Sequence, residues 1–401
     1  MDDSSCQSSR PLRILHVIST LGRGGIETWL LTMLKTISRE SLQMDVCCKG
    51  GQIGELADVA RGYGAQVHHT PMGYRPLAFA NRLATTIKQN NYDVVHCHLN
   101  SHNGVGVLGA KKVGVPTVAS FHSERLVGLS PQTARFVVKQ LSELYCHWSV
   151  RYVARKSEII APVSKAVLQA LMRYAEMPSD RTEVLYLGAT EPEPIDKPRV
   201  DQIRKSLVGN SSSPIVLHVG SFRPAKNHSG LLAIFAKVKE AEPDAKLLLV
   251  GDGPLRETIE TEVRDRQLAD VQFLGLRDDV SELMAVADVF LLPSLYEGLP
   301  IVVMEAAAAK IPIVASNIPS ISEAIADGDT GFLAEIGQID QYAHQVLKLI
   351  TDDAEAERVS QAARRQYEQR FSLAASATRL SDAYARAHQL ASSVAPVSHS
   401  S

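Results

Sequence analysis

The sequence predicts an α/β protein with two Rossmann-like domains, each a doubly wound parallel sheet, and a C-terminal helical segment. Short apolar runs such as RILHVIST, DVVHCHL and PIVLHVGSF alternate with helical segments along the chain. This alternation is typical of parallel sheets whose two faces are covered by helices. The pattern restarts after the Pro- and acid-rich stretch EPEPIDKPRVD, and residues from about 340 to 390 contain helical patterns without strands.

We therefore divide the chain into three parts. Residues 1–190 form the first domain and residues 191–370 the second, since 401 residues accommodate two domains of roughly 100–200 residues each. Residues 371–401 form a C-terminal helix that returns to the first domain. The final residues, ASSVAPVSHSS, are of low complexity, which predicts a disordered tail.

Composition indicates a cytoplasmic protein. Hydrophobic residues make up 45% of the chain and charged residues 21%, as in ordinary globular proteins. The five cysteines are an odd number without the spacing of a disulfide framework, which favours reduced thiols. No apolar run approaches the roughly 18 residues of a membrane-spanning helix, and the polar N-terminus does not resemble a secretory signal.

The two halves of the chain carry opposite charge. Residues 1–190 hold 21 Lys and Arg against 14 Asp and Glu, whereas the rest of the chain is acidic, for a net charge of −2. This asymmetry predicts different partners for the two domains. The basic half suits an anionic acceptor or a lipid surface at the inner face of a membrane.

The stretch PSLYEGLPIVVMEAAA predicts an anion site in the second half. A strand over 289–292 precedes it, and a helix is expected from Ile301 to Lys310. The loop between them lies at the carboxyl edge of a sheet, where free amides and the helix dipole bind anions and ligands. Glu297 lies in that loop, and Glu305 follows inside the helix.

A second loop in this half carries two cations. In HVGSFRPAKNH, Arg223 and Lys226 follow a strand and precede a helix. A guanidinium fork and an ammonium next to a helix N-terminus suit a diphosphate. Solvated surface charge is the alternative interpretation of the same residues.

The glycine-rich turn STLGRGGIETW follows the first strand. Gly24 and Gly25 provide either a tight turn or a backbone cradle for phosphate or sugar. The turn lacks the G-x-G-x-x-G spacing, which disfavours a nicotinamide dehydrogenase, and the sequence contains no Walker motif.

Histidines follow several strands of the first half. His96 and His98 share one face of their strand, and we interpret them as polar packing rather than as metal ligands, because no carboxylate joins them. Cys97 between them is interpreted as a small buried residue. His122 ends the next strand at the expected ligand edge, where it can exchange a hydrogen bond with a ligand.

The chain resembles the family 4 retaining glycosyltransferases, also called glycosyl transferases group 1, which have the GT-B fold of two domains facing across a cleft. Elements in family order span nearly the whole chain, and the pair of glutamates separated by seven residues is the most specific. The matching elements are GGIE (24–27), DVVHCH (93–98), FH (121–122), VGSFRPAKNH (219–228), LLLVGDGPLR (247–256), FLGLRDDV (273–280), ADVFLLPSLYEGLPIVVMEAAA (287–308), PIVAS (312–316), Glu323 and GDTGFL (328–333).

The resemblance implies a role for each candidate residue. Glu305 binds the ribose of a nucleotide sugar, and Glu297 with the amides around it holds the sugar and phosphates; Arg223 and Lys226 bind the diphosphate, and His122 contacts the transferred sugar. One position departs from the family, since Ser221 stands where an arginine is usual. The remaining expected donor contacts are Gly24, Gly25, Ser221, Gly298, Leu299 and Pro300.

The implied activity is retaining transfer of a sugar from a UDP- or GDP-sugar to a glycan, lipid-linked or small-molecule acceptor, in surface polysaccharide or glycolipid synthesis. The first domain then binds the acceptor and the second the donor. We expect no metal, no other cofactor and no nucleic-acid partner, because the protein's cations replace a metal at the diphosphate. Among the catalytic candidates His122, Glu297, Arg223 and Lys226, Glu297 alone could act as a covalent nucleophile.

Two other functions fit the same fold. A nucleotide-sugar 2-epimerase would need acid and base carboxylates in the first domain, where Glu27 and Glu124 are the near candidates. A sugar-nucleotide-binding partner without catalysis is supported only by Ser221.

Residues 125–156 are a candidate membrane-contacting segment. They contain six Lys and Arg with Glu143 as the single acidic residue, and apolar residues including Trp148 recur at helical spacing. An ordinary amphipathic helix packed on the sheet is one interpretation. Contact with an anionic lipid surface that brings the enzyme to a lipid-linked acceptor is the other.

Overall fold

The computed structural model describes residues 10–126, 136–209 and 212–394, without side-chain detail at 136–139 and 394. The chain divides into two compact units. Residues 1–185 and 376–401 form the N-terminal unit, and residues 186–375 form the C-terminal unit.

The N-terminal unit is built on a six-stranded sheet in which every neighbouring pair is parallel. Its strand order is β3-β2-β1-β4-β5-β6. Three of these strands, β1, β4 and β5, were predicted from the sequence, and the structure adds β2, β3 and β6. The strands are β1 (Leu12–Ile18), β2 (Leu42–Cys48), β3 (Val67–His69), β4 (Val94–Cys97), β5 (Thr117–Phe121) and β6 (Ile159–Pro162).

Helices connect these strands. The long helix α15 near the C-terminus supplies Tyr384 to the polar core of this sheet, where its hydroxyl lies 3.1 Å from His16 Nε2. The helices are α1 (Gly25–Thr36), α2 (Ala57–Gly62), α3 (Pro76–Gln89), α4 (Asn103–Lys111), α5 (Phe136–Lys156), α6 (Lys165–Met172) and, after the C-terminal unit, α15 (Leu373–Val394).

The C-terminal unit repeats the architecture, and all six of its strands were predicted. The sheet order is β12-β11-β10-β7-β8-β9, again parallel throughout. Its strands are β7 (Ile215–Val219), β8 (Lys246–Val250), β9 (Val271–Gly275), β10 (Val289–Leu292), β11 (Ile313–Ser316) and β12 (Phe332–Ala334). Its helices are α7 (Lys197–Val208), α8 (His228–Ala241), α9 (Arg256–Asp265), α10 (Val280–Val286), α11 (Ile301–Ala308), α12 (Pro319–Ser322), α13 (Ile339–Thr351) and α14 (Asp353–Gln366).

The two-domain α/β fold predicted from the sequence is confirmed. Each sheet is ordered like a dinucleotide-binding fold, with its first and fourth strands adjacent at the centre. At that point the connections diverge to opposite sides, and the carboxyl ends of the two strands leave a crevice that binds ligands. The central strands are buried over most of their length, as expected when helices cover both faces of a sheet.

Two glycines hold the loop after β7 in place. Gly251 has φ +131°, and a Cβ there would collide with the carbonyl oxygen of Gly220. Gly253 has φ +156°, and a Cβ would lie 2.8 Å from the backbone nitrogen of Phe222. The loop after β8 therefore packs backbone to backbone against the loop that carries Arg223 and Lys226, an approach that only glycine permits.

Two boundaries differ from the prediction. Helix α11 ends at Ala308, before the predicted Lys310, because Lys310 adopts a left-handed conformation with φ +58° that ends a helix. Helix α15 continues to Val394, into the tail predicted to be disordered, and the rest of that tail lies outside the described residues.

The described cysteines are all buried and unbridged: Cys47, Cys48, Cys97 and Cys146. Cys6 lies outside the described residues. Within the part of the chain that the structure describes, no helix combines the length and apolar character needed to cross a bilayer.

Candidate functional site

The crevice of the C-terminal sheet lies between the loops that follow β7 and β10. The two loops are tied together, since the Leu295 amide donates to the Ala225 carbonyl (2.7 Å) and Asn227 Nδ2 donates to the Pro293 carbonyl (3.1 Å). Below them, His218 Nδ1 donates to the Leu291 carbonyl (2.9 Å). The loops are thus held in fixed register above the two central strands.

Lys226 and Glu297, predicted from separate motifs, meet in this crevice. Lys226 Nζ lies 2.6 Å from Glu297 Oε1, and the Ser294 hydroxyl donates to the same oxygen at 2.7 Å. The two charged side chains are only 15% and 14% exposed. A Cβ at Gly220 would lie 3.1 Å from Lys226 Cε, so the glycine leaves room for the lysine chain to run along the backbone.

Arg223 and Ser221 lie apart from this pair. Both residues are exposed. Arg223 forms no salt bridge with any described residue, so its guanidinium is available to an anion. The structure thus joins Lys226 to Glu297 but leaves the Arg223 side chain in solvent.

Helix α11 begins at the edge of the same crevice. Pro300 is its N-cap and has no side-chain acceptor for the first amides of the helix. Such amides, together with the helix dipole, attract negative charge. Leu299 before them is buried (7% exposed), which anchors the loop, and Gly298 is half-buried.

Glu305 lies in the second turn of α11 and is half-buried. Its carboxylate makes no hydrogen bond or salt bridge with the described residues, and burial raises its pKa. A half-buried carboxylate without a partner loses solvation that a hydroxyl-bearing ligand can restore. The geometry therefore makes Glu305 an acceptor for donors such as the hydroxyls of a sugar.

The predicted glycine turn lies in the N-terminal unit, after β1. Gly24 is the N-cap of α1 and Gly25 its first residue. A Cβ at Gly24 would collide with the carboxylate of Glu27, and burial raises the pKa of that carboxylate. A side chain at position 24 would therefore displace the Glu27 carboxylate from its place in the turn.

His122 follows β5 and is anchored at two points. Its amide donates to Asn100 Oδ1 (2.8 Å), and its Nε2 lies 2.9 Å from His98 Nδ1. Its Nδ1 is buried and has no hydrogen-bond partner in the described chain. Burial lowers the pKa of His122 to about 3, so the ring is neutral at neutral pH.

His122 is the end of a continuous series of hydrogen bonds. His98 Nε2 lies 3.0 Å from His16 Nδ1, and His16 Nε2 lies 3.1 Å from the Tyr384 hydroxyl. That hydroxyl is also 2.8 Å from His96 Nδ1, and His96 Nε2 is 2.7 Å from the Ser120 hydroxyl. We call this series the histidine chain; it consists of Ser120, His96, Tyr384, His16, His98 and His122.

Sequence analysis missed three members of the histidine chain: Ser120, His16 and Tyr384. His16 is a polar residue in the buried part of strand β1, residues 14–18, and is paired in register with His96 of β4. A polar residue within that apolar run is a signal that could have identified it. Tyr384 lies in a helix 368 positions from His16, and no local pattern marks it.

His16, His96 and His98 also have the composition of a metal site. Their ring nitrogens lie within 4.8 Å of one another. However, all six nitrogens already take part in hydrogen bonds within the histidine chain. A metal would have to replace a bond at each ring, so the geometry favours hydrogen bonding over coordination.

Comparison with protein families gives two matches, one for each half of the chain. The model described as "Glycosyltransferase Family 4" matches residues 23–190. The model described as "Glycosyl transferases group 1" matches residues 199–366. The candidate residues from Gly24 to Glu305 all lie within these two ranges.

Similar proteins cover most of the chain. EpsF of Bacillus subtilis (strain 168) is 30% identical over 326 residues, covering 80% of this chain and 83% of that protein. The UDP-Gal:alpha-D-GlcNAc-diphosphoundecaprenol alpha-1,3-galactosyltransferase of Escherichia coli is 23% identical, covering 93% and 96%. Among solved structures, Anabaena Alr3699/HepE in complex with UDP and glucose has a TM-score of 0.77 and 19% identity, covering 93% and 99%.

The histidine chain predicts a pH-dependent stability. Burial lowers the pKa of His16 and of His122 to about 3, from an ordinary 6.5. The unfolded chain therefore binds protons that the native state does not, and stability is complete above about pH 6.5 and falls as pH drops toward 3. Between about pH 3 and pH 6.5, each of these two rings contributes about 1.4 kcal/mol per pH unit to the slope of the unfolding free energy against pH.

We expect His16→Gln to reduce the slope of the unfolding free energy against pH by about 1.4 kcal/mol per unit between pH 6 and 4. Urea titrations that resolve the transition of the N-terminal unit measure this slope. His344→Gln is the matched control, because His344 is exposed and its ring is in solvent in both states. An equal slope in wild type and His16→Gln would contradict the prediction.

Proposed function

The chain belongs to the glycosyl transferases group 1, glycosyltransferase family 4, and we propose that it transfers a sugar from a nucleotide-diphosphate sugar to an acceptor hydroxyl with retention of anomeric configuration. The observation that carries the proposal is the Lys226–Glu297 pair (2.6 Å) in the crevice between β7 and β10. We take the donor to be a UDP-sugar rather than a GDP-sugar, because the Escherichia coli relative is named for UDP-Gal and the Anabaena structure contains UDP.

Each donor group has a matching residue in the C-terminal unit. The Glu305 carboxylate, which has no partner among the described residues, accepts hydrogen bonds from the ribose hydroxyls. Lys226, Arg223 and the uncapped amides at the start of α11 bind the diphosphate. Glu297 holds the sugar together with the backbone at Gly298, Leu299 and Pro300. Ser221 stands where the family usually has an arginine, so the diphosphate charge is neutralised by Arg223 and Lys226.

Two contacts come from the N-terminal unit. His122 presents a half-buried ring with an unpartnered Nδ1, which suits a hydroxyl of the transferred sugar. Gly24 and Gly25 present the backbone at the start of α1, which has no side-chain cap and can receive an oxygen of the donor or acceptor.

The reaction breaks the bond between the anomeric carbon and the diphosphate oxygen, and both bonding electrons leave with the diphosphate. The acceptor oxygen forms the new bond to the anomeric carbon from the same face. Its proton passes to the departing diphosphate oxygen, so the products are a glycoside and a nucleoside diphosphate. Lys226 and Arg223 stabilise the charge that develops on the leaving group, where a preorganised donor contributes several kcal/mol.

We propose that this chemistry needs no divalent metal. The sequence contains one Asp-x-Asp, Asp327–Asp329. Asp327 accepts the Leu333 amide (2.8 Å), and Asp329 lies 3.9 Å from Arg358, so both carboxylates have structural partners. The cations at 223 and 226 take the place that a metal would occupy on the diphosphate.

The acceptor is proposed to be lipid-linked, on the evidence of helix α5. Leu141, Leu144 and Trp148 are 60%, 65% and 40% exposed. Arg151 and Arg155, also exposed, continue the same helix face at steps of three and four residues. We call these five residues the exposed α5 face.

The opposite side of α5 packs into the unit through Cys146, Val150 and Val153. The helix is therefore packed on one side and presents an exposed apolar and basic surface on the other. Such a surface suits the interface of an anionic bilayer. Arg135 lies outside the described residues, as do the side chains of Phe136, Val137 and Lys139.

Two other functions make different predictions. An epimerase would release a free sugar or an epimerised donor and would use Glu27 or Glu124 as acid and base. A binding partner without catalysis would bind the donor and leave it intact. Product analysis after incubation with UDP-sugars separates all three, because only a transferase releases UDP in step with a new glycoside.

Donor binding is the first test. UDP-sugars at a hundredfold excess over the dissociation constant should stabilise the protein by about 2.7 kcal/mol, more than GDP- or ADP-sugars at equal concentration. Glu305→Ala should remove most of this stabilisation, because the ribose hydroxyls lose their acceptor. Thermal shift across the nucleotide panel measures the effect.

The control for donor binding is Glu257→Ala, which removes an exposed helical carboxylate of the same unit. It should leave the thermal shift unchanged. Unaltered UDP affinity in Glu305→Ala by titration calorimetry would exclude the ribose role.

Leaving-group stabilisation is the second test. Lys226→Ala should lower turnover by about 10²–10³-fold, since one preorganised donor to the developing charge is lost. Arg223→Ala should lower it similarly if the guanidinium replaces the arginine usual at position 221. The measurement is UDP release in the presence of acceptor, with excess EDTA throughout.

Lys226→Arg is the control that keeps the charge, and Lys226→Ala/Glu297→Gln removes the carboxylate that the single variant leaves unpaired. Recovery of turnover in the double variant would show that the unpaired carboxylate, rather than the missing cation, caused the loss. Activity that disappears in EDTA and returns with Mg²⁺ would contradict the metal-free mechanism.

Membrane contact is the third test. The protein should float with liposomes of anionic lipid at low salt and separate from them at high salt, because the basic residues are screened. Leu144→Glu should weaken partitioning by about tenfold or more, since it removes apolar contact and adds repulsion. Leu77→Glu is the matched control, because Leu77 is an equally exposed leucine (65%) on α3. Absence of binding at low salt would leave a soluble acceptor.

A further inference from the structure

We propose that the histidine chain fixes His122 as the Nδ1–H tautomer, and that Tyr384 of the C-terminal helix is the positioning residue that transmits this choice. The inference rests on the proposed function, because it gives His122 one specific role, which is to donate a hydrogen bond from Nδ1 to an oxygen of the donor sugar. The family resemblance implies that His122 contacts the sugar but does not say which of the two donates the hydrogen bond. The inference assigns the donor role to His122.

All hydrogen bonds of the histidine chain must run in the same donor-to-acceptor direction. Burial lowers the pKa of all four histidines, to about 3 for His16 and His122, so each ring is neutral and carries one N–H. A neutral imidazole that donates at one nitrogen accepts at the other. When both nitrogens of every inner ring are engaged, the tautomer of one ring sets the tautomer of the next.

Ser120 decides which direction is favoured. Its hydroxyl is buried (1% exposed), and His96 Nε2 is its one hydrogen-bond partner among the described residues. If His96 donated to Ser120, the serine hydrogen would be buried without an acceptor, which costs about 1–3 kcal/mol. In the opposite direction the hydrogen left over is on His122 Nδ1, where the proposed sugar oxygen accepts it. With the donor bound, Ser120 therefore donates, and His96 carries its proton on Nδ1.

The remaining bonds follow from this assignment. His96 Nδ1–H donates to the Tyr384 oxygen, and the Tyr384 hydroxyl donates to His16 Nε2. His16 Nδ1–H then donates to His98 Nε2, and His98 Nδ1–H donates to His122 Nε2. All four rings are in the Nδ1–H form, although the Nε2–H form is the commoner tautomer of histidine in water.

One donor, the Nδ1–H of His122, has no acceptor at the end of the histidine chain. His122 Nδ1 is the buried nitrogen without a partner in the described chain. In this direction every other hydrogen is satisfied, so an oxygen supplied at His122 completes the network. In the reverse direction the ligand would meet a lone pair at His122, and the Ser120 hydrogen would still lack an acceptor.

Tyr384 is the link between the two halves of the histidine chain. Its side chain is fully buried, and its hydroxyl is the only atom that joins His96 to His16 in the series. Without that hydroxyl, the tautomer of His16 no longer depends on the hydrogen bond that Ser120 donates. His16, His98 and His122 can then adopt either direction, at the expense of one unsatisfied donor in each.

Nitrogen NMR of protein labelled at histidine tests the assignment without reference to activity. We expect the wild type with a bound UDP-sugar at neutral pH to show His16, His96, His98 and His122 as Nδ1–H tautomers. Tyr384→Phe should convert His16, His98 and His122 into a mixture. Ser120→Ala, a smaller change, should have the same effect by removing the terminal donor, and it tests the proposal if Tyr384→Phe fails to fold.

Tyr342→Phe is the matched control. It removes a buried tyrosine hydroxyl that donates to Ser316 (2.8 Å) in the C-terminal unit, and it should leave the histidine tautomers unchanged. An Nε2–H signal for His122 in the wild type with a bound UDP-sugar, or unchanged tautomers in both Tyr384→Phe and Ser120→Ala, would overturn the proposal.

Kinetics supply the second readout. Tyr384→Phe should lower kcat/KM for the UDP-sugar by about tenfold, the loss expected for one hydrogen bond to the sugar. Affinity for UDP alone should stay constant, because UDP lacks the sugar. Equal loss of UDP affinity would indicate general damage and refute the positioning role. If the wild type shows the expected tautomers but transfers no sugar, the proposed function fails and the tautomer assignment stands.

Discussion

Both sheets of this protein have the same constraint at their centre: the chain leaves the first and fourth strands toward opposite sides, so no connection covers the carboxyl ends between them. Everything proposed for the site depends on that uncovered edge. In the C-terminal sheet it brings the loop after β7 against the loop after β10, where Lys226 and Glu297 meet. In the N-terminal sheet it sets His16 of β1 beside His96 of β4, in register.

The carboxyl edges of the two sheets differ in their polar groups: one has charged side chains and the other has neutral ones. The C-terminal edge holds formal charges: the mostly buried Lys226–Glu297 ion pair, the exposed Arg223 guanidinium, and the Glu305 carboxylate, which has no partner in the described part of the chain. Charges held in place without solvent are suited to a leaving group whose charge grows during the reaction. The N-terminal edge holds neutral rings, because burial makes protonation of several adjacent imidazoles unfavourable. Neutral donors recognise hydroxyl groups without repelling or trapping ions.

Local pattern predicted every strand of the C-terminal sheet but missed β2, β3 and β6 of the N-terminal sheet. Strand β6 is apolar, but a run of four residues does not distinguish a strand from part of a buried helix. All six strands of the C-terminal sheet were found, whereas β2 is interrupted by Asp45, a buried carboxylate that becomes acceptable only through tertiary partners such as Arg13 and Tyr92. Strand β3 has three residues, too few for a periodic signal. Likewise, Lys226 and Glu297 were identified separately, but their contact could not be, because it depends on two loops 71 positions apart.

Helix α15 has a consequence for the order in which the protein is made. The polar core of the N-terminal sheet is closed by Tyr384, which follows the whole second domain in the chain. Domains generally fold as they emerge from the ribosome, N-terminal first. Here the first domain cannot be completed before helix α15 has been synthesised. Its buried histidines therefore have no hydrogen bond to Tyr384 until the whole second domain has been made.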